Sequence, residues 1–234
     1  MKIDTATVTL PERPYSVPIE RTERLPFRVR VVTDSQDLGK AVEIRSSAYS
    51  RHVPAVGEML REAEADDYRS DVLSIFAERK ADGRALGSVR LQPNLNKPLR
   101  IEGETRLPAK YQGRRLIEFM RLGVENGIPG QLVTAALVKA GFEICHAAGF
   151  EFILAAGRRP VSTLYHAMAF DDVLEGGTVA LSYANHLPHG IFSIPVDQVD
   201  RRLPARNPGL YSFMARTHHP DIDINYERVF RTFG

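Results

Sequence analysis

Glu118 and Arg121 are the residues whose type and place most suggest chemistry, because they interrupt the apolar run Leu116–Val124. Gly-Arg-Arg precedes that run and Glu-Asn-Gly-Ile-Pro-Gly follows it, which reads as a central strand covered on both faces. A charge inside such a strand must be paired or must shift its pKa. A buried carboxylate rises towards neutrality and becomes able to take a proton, so Glu118 is a candidate base, directly or through a water. A core strand whose Glu and Arg only pair with neighbours accounts for the same residues. Strict alternation sets Glu118 and Arg121 on opposite faces, so either a bulge re-aims one or the two do separate jobs. After the strand comes an amphipathic helix, Gln131–Ala148, with Leu132, Val133, Ala136, Leu137, Ala140 and Ile144 at helical spacing. A helix N-terminus at the end of a central strand offers free N–H groups to an anion or a carbonyl oxygen.

Further polar residues lie on elements that bring them towards this strand. Arg45 shares the apolar stripe of a helix that Asp34 or Ser35 can cap; it points inward to a carboxylate or ligand, or packs its stem and reaches water. In Leu86–Pro93, Val89 and Leu91 face one way while Ser88, Arg90 and Gln92 face the other. Asp66 belongs to an acidic cluster, 64–71, that reads first as a solvated turn. Arg45, Arg90, Arg121 and Asp66 could together shape a pocket for an amine, or one arginine could hold a carboxylate bidentately; which one stays open. His218-His219-Pro-Asp221-Ile-Asp223 lacks a ligand spacing, so no metal is expected. Cys145 reads as a small buried hydrophobe on the helix after the central strand, and no nucleophile–His–Asp signature is present.

The elements that must position these side chains divide the 234 residues into three stretches. Residues 1–26 form a proline-punctuated arm, 27–196 a single domain, and 197–234 a polar extension with enough aromatic surface to dock on it. In order the domain reads β-α-α-β-β-β-α-β-α-β-β: a strand at Phe27–Val32, helices after Asp34 and at Pro54–Glu64, and a hairpin Val72–Ala77 with Leu86–Pro93. The long loop Asn94–Gln112 is a candidate lid; strands follow at Phe150–Ala156, Val179–Tyr183 and Gly190–Pro195. A net charge of +2 carries no nucleic-acid footprint. One cysteine fits a reducing compartment, and neither a spanning apolar run nor a signal-peptide core is seen, so a cytoplasmic protein is expected.

That order, with Asn126-Gly-Ile-Pro-Gly130-Gln131 after the central strand and Leu164-Tyr165-His-Ala-Met-Ala-Phe170 further on, resembles the Gcn5-related N-acyltransferase (GNAT) fold. The implied class is α/β (α+β), a central mixed sheet flanked by helices. Only Gly127 and Gly130 remain of the usual acetyl-CoA loop, interrupted by Pro129. Glu118-Phe-Met-Arg121, Gly87-Ser-Val-Arg90-Leu-Gln-Pro93, Arg45-Ser-Ser-Ala-Tyr49 and Asp66-Asp-Tyr68 are similar to motifs of the acyl-homoserine-lactone synthases. Arg69 stands where those enzymes have a final Asp, and their typical tryptophan has no counterpart in a chain without Trp. The phrasing around the hairpin and "RRLIEFMRL" looks more like the sister N-acyl amino acid synthases, N-acyl-tyrosine synthases among them, over roughly residues 27–196.

The resemblance implies transfer of a long-chain acyl group from acyl carrier protein to an amino acid's α-amine, with no permanently bound cofactor and a phosphopantetheine thioester as donor. Use of acyl-CoA, synthesis of a lactone signal, and a non-catalytic acyl-binding module are the alternatives. Such a transfer needs a base, oxyanion donors and a group that protonates the leaving thiolate. Glu118 is the candidate base, backbone N–H groups at Leu122, Gly123 and Val124 could form the oxyanion site, and Tyr165 is by resemblance to the fold the candidate thiolate acid, or else a tyrosine that packs its helix on the sheet. Gly130 belongs to the donor loop. Ala136, with Ala135, Ala140 and Gly141, is expected to leave room for the acyl chain between helix and sheet.

Overall fold

The computed structural model describes residues 11–175 and 177–234. In chain order the elements are β1 (Arg21–Thr22), β2 (Phe27–Val31), α1 (Ser35–Ser50), α2 (Pro54–Met59), β3 (Leu73–Arg79), β4 (Ala85–Pro93), β5 (Leu116–Val124), α3 (Ile128–Ala147), β6 (Phe152–Gly157) and α4 (Val161–Ala167). They continue with β7 (Asp171–Asp172), β8 (Val179–Leu181), β9 (Leu187–Pro195), α5 (Val199–Arg206), α6 (Pro208–Tyr211), β10 (Thr217–His218), β11 (Ile222–Asp223) and α7 (Tyr226–Phe233). The main sheet runs β11-β2-β3-β4-β5-β6-β9-β7, with β8 on β9. Its central pair, β5 and β6, is parallel and its flanking pairs β4–β5 and β6–β9 are antiparallel. This is an α/β architecture, a large mixed sheet flanked by helices.

Local chemistry sets the boundaries. Asp34 caps α1 by accepting from the Asp37 N–H at 2.9 Å. α3 starts at Ile128 rather than Gln131, because a proline in the first turn has no helical N–H to lose. α2 ends at Met59, short of the expected Glu64. The acidic stretch that follows makes a 3₁₀ turn, Ala65–Tyr68, in which Asp67 accepts from the Glu64 N–H at 2.9 Å.

The sheet separates two cores. On one face Ile117, Phe119, Ile153 and Ala155 pack against Val133, Ala136, Leu137 and Ala140 of α3. On the other, Leu116, Met120 and Leu154 lie under the loop after β4, which contributes Leu99, Ile101, Leu107 and Tyr111. α1 covers the remainder of that second face: a Cβ on Gly123 would stand 3.1 Å from both the Arg45 Cα and the Ala48 Cβ, so helix and strand meet backbone to backbone.

The C-terminal segment is built into the domain. Ile222 and Asp223 extend the sheet beside β2, Phe233 packs edge-on to Phe150 at 5.2 Å, and Arg115 Nη2 donates to the Phe233 carbonyl at 2.9 Å. Residues 21–22 pair with 217–218, so the described part of the arm lies on this segment; residues 1–10 lie outside the described residues. Among the described residues no helix is long and apolar enough to cross a membrane.

Candidate active site

A bulge in β5 creates the site. Pairing with β4 steps from Ser88↔Gly123 to Arg90↔Met120, so Val89 opposes two residues, Arg121 and Leu122. Arg121 takes up the distortion with φ of 55°, a left-handed conformation that disfavours side chains with a Cβ. The alternation is thereby reset. Arg121 joins Glu118 on the α1 face, while Leu122 turns towards α3 and α4. Two other strand features open this spot. β6 pairs with β5 only over Leu116–Phe119, leaving the C-terminal half of β5 without a neighbour on that side. The Glu125 N–H donates to Leu86 of the β4 side at 2.8 Å, so alternation turns the N–H groups of Val124 and Leu122 away from β4, towards the gap. The Gly123 N–H, by the same alternation, points to β4.

Glu118 is 1% exposed. Its carboxylate accepts from the Ile101 N–H at 3.4 Å and from the Tyr183 hydroxyl at 3.2 Å, and no arginine bonds it directly. Burial outweighs these two hydrogen bonds and the more distant Arg100 and Arg90 charges, and pushes its pKa up to about 7. Across the β4–β5 ladder lies Gln92, also 1% exposed, whose Oε1 is buried with no partner among the described residues.

Beside Glu118 sits a dense ion cluster. Glu64 accepts from Arg121 Nη2 at 2.7 Å and Nε at 2.8 Å, from Arg90 Nη1 at 3.0 Å and from Arg100 Nη1 at 2.9 Å. Asp67 accepts from Arg45 Nη1 at 2.9 Å and Nη2 at 3.1 Å, with Arg90 Nη1 3.3 Å away. Burial opposes ionisation of Glu64, but the hydrogen bond and charge of Arg121, then Arg90 and Arg100, hold its pKa far below the carboxylate range. Burial likewise opposes ionisation of Asp67, and Arg45 overcomes it.

The expected arginines therefore do meet, but around different carboxylates. Asp66 stands at the rim, 4.0 Å from Arg90 and 3.8 Å from Arg100. The 64–71 stretch is not a solvated turn: Glu64 and Asp67 point in, and Asp71 pairs with Arg69 at 2.8 Å. Sequence reasoning also missed Arg100 and the Ile101 N–H, from a loop without periodicity, and Tyr183, expected as the last residue of a strand that in fact ends at Leu181 before a 3₁₀ turn. A signal existed for two of them, since the long loop after β4 had the length of a lid.

Tyr165 lies on the opposite face. It is buried on α4 against Phe170 and Phe192, with ring centroids at 5.4 and 5.3 Å, and burial raises its pKa well above the ordinary phenol value. Gly157 makes room for it: a Cβ there would lie 2.7 Å from the Tyr165 ring. With Val89, Phe119, Leu122, Val138, Met168 and Phe170 it lines an apolar cavity of about 10 Å³ beside the strand gap. Ala136 is fully buried and does not line that cavity; a Cβ on Gly141 would stand 2.6 Å from the Phe119 ring, so side chains fill the α3–sheet contact. At Gly130 the N–H donates to the Gly127 carbonyl at 3.0 Å, and a Cβ would run into the Glu125 carbonyl. Among the described residues no group of His, Cys, Asp and Glu could hold a metal ion; His219 stacks on Phe213 at 4.1 Å and Asp221 pairs with Lys80 at 2.7 Å.

No protein-family model matches the sequence, and no curated protein matches it. Solved structures do match, and they define the class: the fold is that of the GNAT-like acyltransferases. FeeM, an N-acyl amino acid synthase from uncultured soil microbes, is 11% identical over 76% of this chain and 95% of its own, with a TM-score of 0.59. BjaI, a CoA-dependent acyl-homoserine lactone synthase solved with SAM and isopentyl-CoA, is 19% identical over 88% of this chain and 98% of its own, with a TM-score of 0.56. TofI, solved in a ternary complex with an inhibitor and MTA, is 16% identical over 78% of this chain and 99% of its own, at a TM-score of 0.52.

Proposed function

We propose that the chain is an N-acyltransferase that moves a long-chain acyl group from a phosphopantetheine thioester to the α-amine of an amino acid. The observation that carries this reading is Glu118, a buried carboxylate with a pKa of about 7 on the bulged strand, beside a gap into which two N–H groups point. Neutral-pH acyl transfer to an ammonium needs a base of this strength at this kind of opening.

Glu118 takes a proton from the amine, whose nitrogen attacks the thioester carbonyl. The N–H groups of Leu122 and Val124 hold the oxyanion, the C–N bond forms, and the C–S bond breaks as the intermediate collapses. Tyr165, its phenol kept protonated by burial, gives its proton to the departing thiolate from the α3 side of the gap, and the second proton lost by the attacking nitrogen as the amide forms restores the phenol, directly or through a water. Amine and thioester thus approach from opposite faces of the sheet. The apolar cavity around Leu122 and Phe119 is where the acyl chain begins.

Acyl carrier protein is the donor in this reading. The loop at Glu125–Gly130 uses its Gly130 N–H internally, leaving fewer donors for the diphosphate that distinguishes CoA from a carrier's phosphodiester. The likeness to an N-acyl amino acid synthase fold supports the acceptor class. A single buried cysteine suits the cytoplasm, where such carriers act. The test is mass spectrometry of products after incubating the purified chain with palmitoyl-acyl carrier protein or palmitoyl-CoA and the twenty amino acids. An N-palmitoyl amino acid formed faster from the carrier is expected. No amide from either donor would overturn the reading.

A further inference from the structure

Four arginines surround the Glu118 side of the strand, and burial closes three of them to a ligand, although Arg45 Nε and Arg90 Nε have no partner among the described residues. Arg45 and Arg90 have fully buried side chains and Arg121 one that is 4% exposed. Arg121 already presents its Nε–Nη2 edge to Glu64, and Arg45 places both terminal nitrogens on Asp67. Arg100 differs. Its side chain is 28% exposed and only Nη1 is engaged, by Glu64 at 2.9 Å and by Asp66 at 3.8 Å. The Nε–Nη2 edge, the fork that matches a carboxylate bidentately, has no partner among the described residues.

Its position is fixed from below. The Arg100 guanidinium stacks on the Tyr183 ring at 4.5 Å, and the hydroxyl of that ring donates to Glu118 at 3.2 Å. The next residue, Ile101, gives its N–H to the same carboxylate. Accessibility points the same way. Four guanidinium groups share Glu64, Asp66 and Asp67, with the Glu118 carboxylate within range of the Arg100 and Arg90 charges, and Arg100 is the accessible member of the four.

We infer that Arg100 binds the α-carboxylate of the acceptor through its free Nε–Nη2 edge, which sets the α-amine towards Glu118 and restricts the acceptor to free α-amino acids. The assignment rests on the N-acyltransferase reading for its acceptor but makes a separate demand, a carboxylate. Arg100 is a specificity residue; it neither moves a proton nor touches the thioester. Removing it leaves Glu64 held by Arg90 and Arg121, so the fold should survive Arg100→Gln.

The experiment compares each amino acid with its α-carboxamide as acceptor, with tyrosine and tyrosinamide as the first pair. The wild type should prefer the acid by roughly 10-fold or more in kcat/KM, and Arg100→Gln should lose that preference. The loss should come mainly through a raised KM for the acid, larger than the change in kcat or in the amide's kcat/KM that follows from removing a charge near Glu118, and Arg100→Lys should fall between. Equal losses for acid and amide, or an unchanged preference, would overturn the inference. Calorimetric titration with tyrosine and tyrosinamide separates the two proposals. If no acceptor is acylated but tyrosine binds the wild type and not Arg100→Gln, the N-acyltransferase reading fails and the carboxylate site stands. If tyrosine and its amide bind alike, or neither binds, the carboxylate site fails.

Discussion

Two buried charged clusters sit on opposite faces of the sheet, and the contrast between them is what singles out the carboxylate proposed as the base. On the α3 face, Lys139 is 4% exposed and donates to the Thr217 carbonyl at 2.6 Å and the Phe213 carbonyl at 3.4 Å, with His219 Nδ1 at 3.1 Å. Burial lowers its pKa to about 8, and the charge is used to hold the C-terminal segment against the helix. On the α1 face, Glu64 and Asp67 take up the arginines, and the carboxylate next to them is left out of direct ion pairing. Burial alone therefore does not mark a site. The proposed base differs in being an acid held by two long hydrogen bonds beside a strand gap.

Breaking the arginine cluster should have the largest effect. Glu64→Ala strips Arg90, Arg121 and Arg100 of their shared carboxylate and should cost about 3–5 kcal/mol, read as a lower midpoint in urea unfolding. The pH dependence of stability should differ in sign between the two faces. The folded chain holds Lys139 at about 8 against 10.5 when unfolded, so its charged form is penalised, and stability is lost as pH falls through 8. Relative to Lys139→Met, the wild type should gain on the order of 3 kcal/mol between pH 8 and pH 10.5. Glu118 is held at about 7 against 4.5, so its contribution is present below 4.5 and lost as pH rises through 7. Lys139→Met should leave acyl transfer per folded molecule unchanged; a changed rate would put this face in the mechanism.

Smaller effects sharpen the picture. Tyr165→Phe should lower single-turnover acyl transfer about 10-fold with little change in melting temperature, since the ring contacts with Phe170 and Phe192 remain. An unchanged rate would make Tyr165 a packing residue only. Gln92→Leu removes a buried amide oxygen that lacks a partner and should raise stability by about 1 kcal/mol in thermal unfolding.

Strand β5 was readable to the residue because a near-continuous apolar run bounded by glycine-rich turns fits little besides a buried central strand. The inward face of Arg90 followed from simple alternation, and the α1 cap from Asp34. What stayed hidden depended on tertiary context. The bulge falls at Arg121, where no glycine announces a left-handed residue. Glu64 and Asp67 occur in a polar run whose composition is that of a surface turn, and only the facing arginines draw them inward. Arg100 comes from a short turn with no period to place it, and Tyr183 from a 3₁₀ turn that cuts the expected strand short at Leu181.

The most direct test of the central claim is the pH profile of single-turnover acyl transfer in Glu118→Gln, with folding verified by thermal melting. The wild-type rate should rise with pH around 7, where Glu118 loses its proton. The variant should be slower by about 10²-fold or more, without that inflection, while still binding acyl donor and melting no lower than wild type at pH 8. A folded variant with near wild-type turnover and the same inflection would contradict the assignment of Glu118 as the base.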